Sequence, residues 1–154
     1  MKTSSAAKGK LMPYRFLEDI ATADVAFCAW GESREDAFKA AAEATLKVMV
    51  ENPEQVQKKT GRKICLENTE LDLLLFDLLQ ELIYYKDAEE LLLHVLDVSI
   101  EETPGRYRLS ASAAGEILDP ERHHLQVDVK AVTLHRFTLA QRNGEWEARV
   151  ILDI

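Results

Sequence analysis

Cysteine is scarce: Cys28 and Cys65 are the only two in 154 residues, and they lie in separate apolar segments. No CxxC pair and no Cys/His ligand spacing exists, which argues against a zinc site. Two lone thiols without a signal peptide point to a reducing, cytoplasmic setting. Basic charge is short as well, with 19 Lys and Arg against 27 Asp and Glu and a net charge of −8. A chain so acidic lacks the footprint for direct nucleic-acid binding. It is better suited to a divalent cation or a basic protein partner.

Long hydrophobic runs are also missing. The most apolar stretch, LDLLLFDLLQELIYY, carries three acids and is too short to span a bilayer. The opening MKTSSAAKGKLMP has no apolar signal region, and residues 1–12 read as a mobile tail. No Gly-rich phosphate loop, Ser/His/Asp set or Cys/His pair can be assembled, so nothing argues for covalent or acid–base catalysis. Neither repeats nor low-complexity linkers divide the chain, and residues 13–154 read as one domain.

What is present alternates between two periods. YRFLEDI (14–20) and DVAFCAW (24–30) read as strands. GESREDAFKAAAEATLKVMVENP reads as a helix capped by Ser33, with Asp36 in the capping-box position and Asn52-Pro53 closing it. Phe38, Ala41, Ala42, Thr45, Leu46 and Met49 mark its buried face. GRKICLEN is a strand, and a second helix follows, capped by Asn68 or Thr69 and ending near Tyr85. Its apolar residues surround most of its circumference, as for a helix covered on more than one side.

Strands dominate the remainder. Leu96, Val98 and Ile100 share one face of LDVSIEE, Pro104-Gly105 turns the chain, and Tyr107, Leu109, Ala111 and Ala113 point inward on the return. GEILDPERHH reads as a polar loop with His123 and His124 exposed. A long run, LQVDVKAVTLHRFTLAQ, aligns Leu125, Val127, Val129, Ala131, Phe137 and Leu139, while the role of His94 stays open. The expected fold is α+β: two helices on a mostly antiparallel, mixed sheet, in one compact domain.

Asn143-Gly144 fixes the register of the last hairpin by setting Arg142 opposite Glu145. Trp146, Ala148, Val150 and Leu152 then face Gln141, Leu139, Phe137 and His135, which puts His135 on the core side. Asp153 falls opposite Leu134, sharing a polar face with Asp128 and Lys130. Lys130 is then roughly 13 Å from Asp153 at about 3.3 Å per residue, and only a β-bulge would bring the two together.

Two acids interrupt strand-like runs, Asp24 at the start of DVAFCAW and Asp153 in the terminal ILDI. A strand-end aspartate is usually a solvated end. The α-carboxylate of Ile154 lies beside Asp153, however, and neighbouring carboxylates repel unless a cation separates them. With Asp24 added, three carboxylates would suit a hard ion, calcium or magnesium.

TADVAFCAWG before a capped helix, LLLFDLLQELIYY, AAGEILDPERHHLQVDVKAVTLH and the terminal WEARVILDI, in this order from about Tyr14 to Ile154, together resemble the archease family. The resemblance implies a non-enzymatic protein cofactor of the GTP-dependent RNA-splicing ligase, which joins 2′,3′-cyclic phosphate or 3′-phosphate ends to 5′-hydroxyl ends in tRNA splicing and RNA repair. Such helpers promote guanylylation of the ligase's active-site histidine and repeated turnover, meeting RNA only through the ligase. It further implies that Asp24, Lys130 and Asp153 are functional and that Asp24 and Asp153 bind a metal, calcium in the family, with the Ile154 carboxylate as a further ligand. One departure is Ala21, where family members commonly carry histidine. A metal-dependent phosphoester hydrolase using the same acids, and a general chaperone using an apolar surface, are the competing classes.

Overall fold

The computed structural model describes residues 13–17 and 24–154; the expected tail, the end of the first strand and Ala21 lie outside the described residues. The chain runs β1 (Tyr14–Leu17), β2 (Asp24–Gly31), α1 (Arg34–Met49), a 3-10 turn (Pro53–Gln55), β3 (Thr60–Asn68), α2 (Leu71–Glu89), β4 (Leu91–Thr103), β5 (Arg106–Ile117), β6 (Ala131–Arg142) and β7 (Glu145–Asp153). The α+β class holds, but the strands form two sheets, ordered β1-β2-β7-β6 and β3-β5-β4. Among the described residues every pairing is antiparallel, so neither sheet is mixed.

Both helices contact both sheets. α1 packs on β1, β2 and β7 of the first and on β4 of the second; α2 packs on β6 and on β3, β4 and β5. Ser33 caps α1 as expected, its Oγ accepting from the Asp36 N–H at 3.0 Å. α2 is covered on more than one side, as expected, but α1 is the more deeply enveloped, with ten of sixteen residues buried against seven of nineteen in α2. Alanine explains this: Ala37, Ala40, Ala41, Ala42 and Ala44 let backbone approach from both sides, whereas leucines hold neighbours further off.

α2 begins one turn position later than expected, with Glu70 as a cap that makes no side-chain bond; Asn68 Oδ1 instead accepts from the Glu70 N–H at 3.1 Å. It also continues past Tyr85 to Glu89, ending at Glu90 in the left-handed region (φ 54°). Polar Lys86 resembles a helix end in sequence, but it is buried. β4 starts at Leu91 rather than Leu96, and its leading leucines are all buried because both faces are covered. A bulge between Val95 and Asp97 turns Leu96 out to solvent, so it leaves the face of Val98 and Ile100.

β5 absorbs Gly115, Glu116 and Ile117 from the expected loop. Gly115 is required where β5 meets β4: a Cβ there would lie 1.6 Å from the Leu92 carbonyl oxygen. His123 is buried, contrary to expectation, while His124 is exposed. The expected long strand is cut in two. Residues 126–130 have no regular structure, Leu125 and Val127 are exposed, and only Val129 of the three is buried. Leu125 makes one isolated bridge, to Val50, and Gln126 N–H bonds the Met49 carbonyl at 2.9 Å. Among the described residues no helix is long and apolar enough to cross a membrane.

Candidate functional site

The site is built where three strand ends meet. β2 pairs with β7 over the full length of β2, which sets Asp24 directly opposite Asp153. Cross-strand partners lie on the same face of the sheet, with Cβ atoms about 4.5–5.5 Å apart. Both aspartates are half-buried, and among the described residues neither carboxylate has a hydrogen-bond or ion-pair partner. Like charges directly opposite one another destabilise a sheet unless something neutralises them.

Lys130 reaches the same corner through an irregularity in β6. Near the turn the expected register holds, from Arg142↔Glu145 to Thr138↔Arg149, with Asn143 (φ 51°) and Gly144 (φ 80°) in the primed turn that suits a two-residue hairpin. Beyond it the partners are Thr133↔Ile151, Val132↔Leu152 and Ala131↔Asp153. Four residues of β6 face one of β7 between those blocks, three more than a regular ladder allows, with Arg136 in the left-handed region (φ 56°). The excess replaces Leu134 by Ala131 as the partner of Asp153. It also leaves His135 exposed instead of on the core face. The Lys130 N–H donates to the Asp153 carbonyl at 2.8 Å, so the two main chains touch where a regular hairpin would hold them roughly 13 Å apart, and Ala131 is the cross-strand partner of Asp153.

Asp128 does not join the corner. Its carboxylate pairs with Lys86 of α2 at 2.5 Å. Ile154, half-buried, packs against the core next to Asp153. Among the described residues no group of three or more His, Cys, Asp or Glu side chains is placed to hold a metal. Two facing carboxylates fit a hard, oxygen-seeking cation as a partial donor set, to be completed by main-chain oxygens, water or a partner.

A second polar cluster was not legible in the sequence. Glu116, 5% exposed, receives Arg122 at 2.5 Å, the Gln57 N–H at 2.8 Å and His123 Nε2 at 2.9 Å. Arg122 first, then the Gln57 and His123 hydrogen bonds, hold its pKa down at about 2 against the effect of burial. His123 Nδ1 accepts from the Asp119 N–H at 2.8 Å, which leaves Nε2 as the nitrogen that faces the carboxylate. His94 is the opposite case. Nδ1 lies 3.2 Å from Glu43 and Nε2 3.0 Å from the Pro53 carbonyl, two acceptors that suit imidazolium, and the Glu43 bond raises its pKa despite burial. Both clusters tie loops to strands, away from the aspartate corner.

Residues 14–154 match the model of the Archease protein family. The chain is 40% identical over 134 residues to a protein archease of Pyrococcus abyssi, covering 86% of this chain and 94% of that protein. It is 37% identical over 142 residues to one of Methanosarcina mazei, covering 92% and 95%. The solution structure of Methanobacterium thermoautotrophicum protein 1598 superposes with a TM-score of 0.81 at 32% identity, covering 94% of this chain and all of that one. A Thermotoga maritima crystal structure, described as an archease and possible chaperone, shares the fold with a TM-score of 0.57 at 15% identity over 91% of this chain and 98% of that one. Matched by the family model over most of its length and 40% identical to one of its curated members, the chain belongs to the archease family.

Proposed function

We propose that this protein is a non-catalytic activator of the cytoplasmic GTP-dependent RNA-splicing ligase, promoting guanylylation of the ligase's histidine and multiple turnover. Asp24 and Asp153, with the Ile154 α-carboxylate as a further donor, hold a divalent cation, calcium or magnesium, and Lys130 stands beside them. The observation that carries this reading is the register pairing of Asp24 with Asp153. Two carboxylates opposed across a ladder without a cation between them are a cost to the fold, and a site that holds one turns that cost into affinity. A cation there supplies charge neutralisation for nucleotide phosphates. The net charge of −8 favours encounter with a basic RNA-handling surface.

The test is a ligation assay with ligase limiting. Wild-type protein should allow many turnovers per ligase, and Asp24→Ala, Asp153→Ala and Lys130→Ala should each bring the yield back towards the level without the protein. Full stimulation by all three variants would overturn the proposal. Phosphoester cleavage by this protein alone would favour a hydrolase.

A further inference from the structure

Lysine is almost never buried without a purpose for its charge. Lys86, in the last turn of α2, is 9% exposed, and its Nζ lies 2.5 Å from Asp128 Oδ1, 2.6 Å from Asp87 Oδ1 and 2.7 Å from the Val129 carbonyl oxygen. Three acceptors for three N–H groups satisfy the ammonium completely. Burial alone would lower its pKa, but the Asp128 and Asp87 hydrogen bonds outweigh it and leave the pKa above the ordinary lysine value.

Two of those acceptors belong to one short segment, immediately before Lys130. Among the described residues that segment has no strand partner: residues 126–130 are irregular, and regular pairing of β6 begins at Ala131. Its anchors can be named. Val129 inserts into the core with no exposure, Lys86 holds Asp128 and Val129, the Lys130 N–H bonds Asp153, and the Val132 N–H donates to Gln80 Oε1 at 2.7 Å. Lys86 and Gln80 lie six apart on α2, so one helix grips the chain on both sides of Lys130. The exposed carboxylates of Asp87 and Asp128 add little net stability to such a pair. Position is what the contact supplies.

We propose that Lys86 is a positioning residue: its buried ammonium fixes Asp128 and the Val129 carbonyl so that α2 delivers Lys130 to the Asp24/Asp153 corner. This deepens the functional reading above and rests on it for the role of Lys130, but not for the geometry.

The experiment combines amide hydrogen exchange of the full chain with the ligation assay, on Lys86→Met, Lys86→Arg and Lys86→Met/Lys130→Ala. Lys86→Met should melt cooperatively near the wild-type temperature while the Lys130 amide exchanges at least roughly tenfold faster, as loss of a charged anchor permits local opening. Stimulation should fall in Lys86→Met, recover in part in Lys86→Arg, and drop no further when Lys86→Met is added to Lys130→Ala. A merely structural lysine would subtract again in that background. Unchanged protection of the Lys130 amide, or an additive loss, would overturn the proposal. If Lys86→Met does not fold, Asp128→Asn, which alters only the solvent-exposed partner, decides by the same exchange readout. If wild-type protein fails to stimulate the ligase, the functional reading falls, and the exchange data still decide whether Lys86 positions Lys130.

Discussion

Glu116 shows how far a single residue can depart from its appearance in the sequence. In GEILDPERHH it reads as a solvated loop acid, because nothing local reveals that β5 continues beneath it or that Arg122 and His123 return to meet it. Its pKa is held near 2, below the ordinary 4.5. A depressed carboxylate contributes stability that is fully present above its unfolded value and lost as pH falls through the folded one. Stability should therefore decline between pH 4.5 and 2 with a component that Glu116→Gln removes; urea melts across that range check it, and an unchanged slope in the variant would contradict it. Asp24 and Asp153 were legible for the opposite reason. A carboxylate inside an apolar, strand-length run is a local anomaly, visible without knowledge of any distant partner.

Among the elements, those with chemical punctuation were readable and those defined by long-range cover were not. Ser33 with Asp36 three residues on, Pro104-Gly105 and Asn143-Gly144 all mark real boundaries. Replacing Ser33 by Ala should cost about 1 kcal/mol of unfolding free energy, since the Asp36 N–H loses its acceptor. Denaturant unfolding measures this, and a change near zero would mean that solvent satisfies the helix end equally well. The Asn-Gly turn predicts the β6–β7 register for five pairs and then fails, because a bulge obeys no two-residue period. The same irregularity has a structural consequence: the three extra residues in β6 set the Lys130 N–H against the Asp153 carbonyl. Lys86 was hidden in the same way, since a lysine among Asp87, Ala88 and Glu89 looks like the end of a helix rather than a buried clasp.

At the scale of the molecule, the α+β class followed from alternating periods, but the division into two sheets did not. Hairpin signals specify neighbours in sequence, whereas β2–β7 and β3–β5 pair segments that lie far apart. The β2–β7 pairing is also what joins the two ends of the domain and makes a corner of Asp24 and Asp153. The direct test is a calcium titration of the thermal midpoint, for wild type and for Asp24→Asn/Asp153→Asn. Without cation the variant should be at least as stable as wild type, because a like-charge cross-strand pair has been removed. With calcium the wild-type midpoint should climb with concentration as mass action requires, by about 2.7 kcal/mol of stability at a hundredfold excess over Kd, while the variant stays flat. A wild-type midpoint indifferent to calcium and magnesium, or an equal rise in the variant, would contradict a cation held between these two aspartates.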